Sequence, residues 1–183
     1  MRIAAMRFLT LLALVVAVVV HAPVSSARGH EPAKTVRLSA LEASLVRELN
    51  RVRADRGLRP LRAAPRLRTA ARAHTNAMLD FGFFGHESVD GTTFGERIKR
   101  YYSSRGFRSW SVGEALLASP DRKTAASSIV EAWMNSPPHR EILLSPSWRD
   151  VGIGALYAPA APGAFGNTAT IAITADFGLR IGR

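Results

Sequence analysis

The hydrophobic period of this chain changes along its length, and that change limits the folds open to it. In the first part, apolar residues recur at helical spacing. Leu41, Leu45, Leu49 and Val52 form one stripe, Leu67, Ala71, His74, Met78 and Phe81 a second, and Ala126, Ile129, Val130 and Trp133 a third. In the last third, Val151 to Tyr157 and Ala169 to Phe177 are rich in Val, Ile, Thr and aromatics and read as strands. The Pro/Gly/Ala loop 158–166 between them fits an antiparallel pair. Helices followed by strands indicate an α+β fold rather than alternating βαβ units.

Local punctuation places the elements. Ser39-Ala40-Leu41-Glu42 reads as a capping box opening the first helix, with Gly57 placed to end it. Pro65 suits a first helical position and Gly82 a stop. Asp90-Gly91 marks a turn, followed by a short helix from about Thr93 to Tyr102, then irregular chain from Ser103 to Trp110. Val112 to Ala118 reads as a short strand or extended loop. A helix is expected from Pro120 to Asn135, with Ser136-Pro137-Pro138 ending it and Ser136 capping the next turn.

A chain of 183 residues is long enough to bury one core. Its start reads as a secretory leader. Arg2 and Arg7 flank the apolar run Phe8 to Val20, and Ser25-Ser26-Ala27 supplies small residues for cleavage after Ala27. That run is short of the roughly 20 residues a spanning helix needs; an uncleaved N-terminal anchor is the alternative. The expected organisation is a leader at 1–27, a polar linker at 28–38 and one domain at 39–181, with no transmembrane segment in the mature chain.

The chain has no cysteine, which excludes disulfides, zinc–thiolate sites and Cys–His nucleophiles. Its formal charge is +11; without Arg2 and Arg7, 23 basic residues face 14 acidic ones, a formal +9. Nine arginines lie between Arg47 and Arg72, at positions 47, 51, 53, 56, 59, 62, 66, 68 and 72. Such a field suits an anionic wall polymer or lipid headgroup. No aromatics interleave with these arginines, so a base-stacking nucleic-acid groove is not indicated. The plain alternative is a solvated arginine-rich surface.

Three contexts carry the chemistry: Phe84-Gly85-His86-Glu87-Ser88, Val112-Gly113-Glu114-Ala115, and Glu131-Ala132-Trp133-Met134-Asn135-Ser136-Pro137-Pro138-His139-Arg140. There is no zinc-protease His-Glu-x-x-His helix, no Gly-x-Ser-x-Gly elbow and no phosphate-cradling loop. Taken singly, His86 and His139 would more often be hydrogen-bonding surface residues than ligands. His74 sits on an apolar helix face and reads as a satisfied core histidine. Glu114, flanked by apolar residues, needs a partner if buried. Glu131 lies opposite its helix's apolar stripe and reads as solvent-facing, as would a residue lining an open cleft.

Together these segments resemble the CAP superfamily of cysteine-rich secretory, antigen 5 and pathogenesis-related proteins, in its cysteine-free bacterial SCP-like branch. Trp133 to Leu143 resembles the family's Trp-x-x-Ser-Pro-x-His-Arg signature. Phe84 to Ser88 with Asp90-Gly91 resembles its Phe-x-His-x-Ser-x-Asp-Gly segment, and Leu49-Asn50-x-x-Arg53 and Asp176-Phe177-Gly178 also fit. The resemblance implies an α-β-α sandwich with a small antiparallel sheet between helices and a large open cleft. It implies a cleft tetrad at His86, Glu114, Glu131 and His139, with the two histidines holding a divalent metal, often zinc, and a secreted or cell-envelope location. The family usually has Gly-Glu-Asn where this chain has Gly113-Glu114-Ala115, which removes an amide partner from that segment.

Three readings follow. The first is a secreted binding module in which His86 and His139 hold a metal, Glu114 and Glu131 complete or steer the site, and open positions remain for an anionic or lipid envelope ligand; a partner protein is also possible. The second is a metal-dependent hydrolase of wall or protein substrates using Glu114 or Glu131 as general base. The third is a hydrogen-bonded network that only rigidifies the cleft.

Overall fold

The computed structural model describes residues 32–120 and 125–182; the proposed leader lies outside the described residues. The helix expected from Pro120 starts only at Ala126, since Pro120 sits in a bend and Ala125 is the N-cap in extended backbone. The elements run β1 (Val36–Arg37), α1 (Ser39–Ala54), β2 (Arg62–Ala63), α2 (Pro65–Phe81), α3 (Phe94–Tyr101), β3 (Ser109–Ser119), α4 (Ala126–Asn135), α5 (Pro137–Leu144), β4 (Asp150–Ala161), a 3-10 turn (Gly163–Phe165) and β5 (Thr168–Ile181). The fold is α+β, an α-β-α sandwich, as expected. The sheet order is β1-β4-β5-β3, with β2 also on β4. All pairings are antiparallel except the short β2–β4 pair.

The alternation of strand side chains decides the two layers. Ala115, Val151, Ile153, Ala155, Ile171, Ile173, Ala175 and Phe177 face one side, where they form a core with Leu45, Leu49 and Val52 of α1, Ile129, Val130 and Trp133 of α4, and Leu143 of α5. The opposite face takes α2 and α3. Leu116, Leu156 and Ala172 meet Met78 and Leu79, while Leu67 and Ala70 pack with Ile98 and Tyr102. Here β4 presents Gly152 and Gly154. A Cβ on Gly152 would lie 2.0 Å from the Arg68 backbone nitrogen, and one on Gly154 2.5 Å from the Ala71 carbonyl carbon. The α2 backbone therefore rests directly on β4.

Buried indoles and other polar side chains find backbone carbonyls across the fold. The indole N–H groups of Trp110, Trp133 and Trp148 donate to the carbonyls of Tyr102, Leu116 and Ile142. The Leu49-Asn50-x-x-Arg53 segment has a structural use. Asn50 brackets the Leu61 peptide through both its amide atoms, and buried Arg53 donates to the Leu143 and Ser145 carbonyls at the end of α5. A cation there also complements the helix C-terminus.

Several expectations are corrected. Ser39 does not cap α1: Leu38 holds the N-cap position without a side-chain bond. Glu42 instead turns inward, where Arg72 donates to both its oxygens at 2.8 and 2.5 Å and the Ala155 N–H to one at 3.2 Å. The capping box in use is Thr93 with Glu96, at the start of α3. Ser136 is the N-cap of α5 by backbone only, with no side-chain bond. Phe81, at the very end of α2, is half exposed. The linker does not extend to residue 38: the Ala33 N–H donates to Asp80, the Thr35 hydroxyl to Asn76, and Val36–Arg37 joins the sheet. The irregular stretch ends at Arg108, because β3 starts at Ser109 and runs eleven residues beside β5.

Candidate functional site

β3 is the edge strand of the sheet beyond β5, so both helical layers can reach past it. Glu114 lies at its middle and faces the α2/α3 layer, with a side chain wholly buried. Its neighbour Gly113 faces the other layer, where a Cβ would lie 2.9 Å from the Trp148 ring and 3.5 Å from Ile142. The missing side chain lets the α5 side close onto the strand. Ala115 is fully buried in that same core and pairs with Ala175. The residue that replaces the family's amide therefore points away from the site, and other groups orient Glu114.

Those groups are His86 and Arg97. His86 Nδ1 lies 2.9 Å from Glu114 Oε1, and the buried Arg97 guanidinium donates to Glu114 Oε2. Arg97 also donates to the His86 carbonyl at 2.9 Å and to Ser88 Oγ at 3.3 Å. The loop carrying His86 is pinned again from α2, where His74 Nε2 lies 2.9 Å from the Gly85 carbonyl. That contact requires His74 to donate from Nε2. Burial holds His74 below the usual imidazole range, the reading expected for a core histidine. Beyond His86 the turn closes on itself, the Ser88 N–H donating to the Thr92 carbonyl and the Thr92 N–H to Asp90 Oδ1.

The bond from Glu114 raises the His86 pKa; burial and Arg97 oppose it. A carboxylate on Nδ1 sets the Nδ1–H tautomer and leaves Nε2 as a free acceptor or ligand. The His86 side chain is 49 % exposed, with its edge against Phe94. His139 arrives from the opposite layer at the third position of α5. Its pKa is lowered, by burial first and then by His86, whose charge is near enough to oppose protonation. The structure thus brings His86, Glu114 and His139 to one edge of the sheet.

It does not bring Glu131 there. Glu131 is exposed on α4 and lines a groove against α1, with Glu48, Arg51, Asp55 and Arg56. Among the described residues, no hydrogen bond or ion pair joins it to either histidine. Its solvent-facing position is the one its helical wheel indicates. Sequence reasoning gave no site role to three residues of the cluster: Arg97, His74 as a loop anchor, and Asp176, noted only within the closing Asp176-Phe177-Gly178 segment and here the fully buried cross-strand partner of Glu114. The one local signal for Arg97 was its place beside Ile98 on the inner face of an otherwise charged helix.

The ring nitrogens this edge offers are those of His86, preset by Glu114, and of His139, whose protonation burial disfavours. Among the described residues, no group of three His, Cys, Asp or Glu side chains is arranged to hold a metal ion. The nine-arginine stretch is partly neutralised. Arg51, Arg62 and Arg72 pair with carboxylates and Arg53 is buried, which leaves Arg47, Arg56, Arg59, Arg66 and Arg68 exposed. Among the described residues, no helix is long and apolar enough to cross a membrane.

Comparison with known proteins places this geometry. The sequence profile of the cysteine-rich secretory protein (CAP) family matches residues 46–170, which contain His86, Glu114, Glu131 and His139. The uncharacterized protein YkwD of Bacillus subtilis (strain 168) is 33 % identical over 117 residues, 64 % of this chain and 43 % of YkwD; the match spans less than half of that relative. An outer surface protein from Borrelia burgdorferi superposes with a TM-score of 0.63 at 22 % identity, covering 81 % of this chain and 98 % of that one. An extracellular protein containing an SCP domain from Bacillus anthracis str. Ames superposes with a TM-score of 0.57 at 22 % identity, covering 79 % of this chain and 41 % of that one. These two structures share the fold.

Proposed function

The chain belongs to the cysteine-rich secretory protein (CAP) family, and from that premise we propose that it is an exported binding module whose cleft holds a divalent cation, zinc foremost, between His86 and His139. The observation that carries the reading is the Glu114–His86 bond, which aims Nε2 outward beside a second neutral imidazole. Carboxylate–histidine pairs of this kind orient metal-ligating imidazoles. Bound there, the cation would keep open positions for a carboxylate, phosphate or carbonyl of a ligand. The five exposed arginines favour an anionic ligand, such as a wall polymer or lipid headgroup. Export is supported by the leader-like start of the sequence and by the surface and extracellular character of the two structural relatives.

The residues argue against general-base hydrolysis. Glu114 gives one oxygen to His86 and the other to Arg97, so taking a proton would break a buried ion pair. Glu131 lines a different groove. The test is zinc content after loading and dialysis of the wild-type chain and of the His86→Ala/His139→Ala double variant. About one zinc per wild-type chain and none in the variant is the expected result, since binding follows the ligands. Zinc retained by the double variant refutes the assignment.

A further inference from the structure

Asp176 is the one carboxyl group in the cluster that nothing in the proposed function uses. It lies on β5 directly opposite Glu114 of β3, and on its other side the register places Gly152 of β4, which has no side chain to offer. Asp176 is wholly buried, and among the described residues no donor reaches either of its oxygens. The cation that acts on it is Arg97 of α3, whose two terminal nitrogens go to Glu114, the His86 carbonyl and Ser88, while its Nε is buried without a partner among the described residues. From α2 the cluster faces His74, held neutral and spending its Nε2 proton on Gly85. From the turn it faces His86, spending its Nδ1 proton on Glu114.

Two facing carboxyls in one dry layer with one guanidinium cannot both stay ionised, because like charges at close range raise one of the two pKa values strongly. Glu114 has the guanidinium and an imidazole; Asp176 has neither. Burial, and next the charge on Glu114, accordingly push the Asp176 pKa far up, against the smaller pull of Arg97. Two carboxylates would meet acceptor to acceptor. A proton on Asp176 turns that contact into a short O–H···O⁻ bond to Glu114.

We propose that Asp176 is a positioning residue of the His86 site, a neutral carboxylic acid that donates its hydrogen bond to Glu114 and so fixes the carboxylate that aims His86. This goes beyond the cation reading, on which its functional consequence rests. It assigns a role to Asp176, which in the sequence stood out only as part of the closing Asp176-Phe177-Gly178 segment. The chain of contacts runs from Asp176 through Glu114 to His86, with Arg97 balancing the single charge. Asp176 touches no ligand itself.

The test separates the proton from the cation. In the infrared spectrum of the full chain at neutral pH, wild type minus Asp176→Asn should show the carbonyl band of a protonated carboxyl group, with or without zinc. Its absence overturns the proposal whatever zinc does. Zinc affinity is then measured for wild type, Asp176→Asn and Asp176→Leu. Asparagine can still donate an N–H to Glu114, so its affinity should stay within about 2-fold; leucine cannot, and a loss of roughly 10- to 100-fold is expected for a missing outer partner. Equal affinity in Asp176→Leu overturns the positioning role. If wild type binds no zinc, the proposed function fails, and His86 ring-nitrogen NMR signals decide in its place. The Nδ1–H pattern should persist in Asp176→Asn and be lost in a variant that keeps Glu114 but lacks the donor: Asp176→Leu, or Asp176→Ala if leucine does not fold. An unchanged pattern in that variant overturns the proposal.

Discussion

Removing the Arg97 guanidinium should cost far more when Glu114 is charged than when it is not. In Arg97→Leu, a carboxylate with a wholly buried side chain loses the buried guanidinium paired with it, while the His86 carbonyl and Ser88 lose a donor. Breaking a buried pair by taking one partner costs about 3–5 kcal/mol. Glu114→Gln keeps the shape of the site, replaces the charge with an amide and leaves Arg97 bonded to the loop. In that background Arg97→Leu should cost only the loop bonds, about 1–2 kcal/mol at the usual net value of such contacts. The double-mutant cycle should therefore return a coupling of about 2 kcal/mol or more between residues 97 and 114. Urea denaturation of the four proteins at pH 7 measures it, provided the slopes agree. Additive effects, within about 0.5 kcal/mol, would refute the argument that one guanidinium holds the Glu114 charge in place.

Further outcomes follow from the same geometry. Asp176→Asn should gain stability relative to wild type as pH rises. A carboxyl whose folded pKa is raised contributes stability fully below its unfolded pKa near 3.9 and loses it as pH climbs towards the folded value, by up to about 1.4 kcal/mol per pH unit; a pH-independent difference between the two proteins would contradict this. Gly152→Ala drives a methyl into the α2 backbone and should cost about 3 kcal/mol or more, the upper end of overpacking, read by thermal or urea unfolding. Gly57→Ala is the control: its site is open, so only the left-handed backbone at φ +67° resists, at about 1–2 kcal/mol. Glu131→Gln should leave zinc stoichiometry unchanged and stability within about 0.5 kcal/mol, as for other exposed positions; loss of zinc in that variant would return Glu131 to the site.

What could be read along the chain was local. Pro65 opens α2 and Gly82, at φ +69°, closes it, because both residues act through their own backbone. The strands at 150–161 and 168–181 announce themselves by composition and pair as expected, longer at both ends because neighbouring strands extend them. The Ser/Thr-x-x-Glu pattern shows where locality ends. At Ser39 and at Thr93 it stands at a helix start, and only the second caps, because Glu42 has a stronger partner thirty residues away in Arg72. The same division runs through the site. His86, Glu114 and His139 stood out by their sequence contexts, and the helical wheel of α4 turned Glu131 to solvent. That His86 meets Glu114, that Arg97 takes the second oxygen and that Asp176 is left, among the described residues, with no donor depended on strand register and on α3 crossing that face of the sheet. Periodicity and backbone chemistry act over a few residues and are written in the sequence. The protonation and aim of a buried group depend on which charges distant segments bring within a few ångströms of it, and only the assembled sheet decides that.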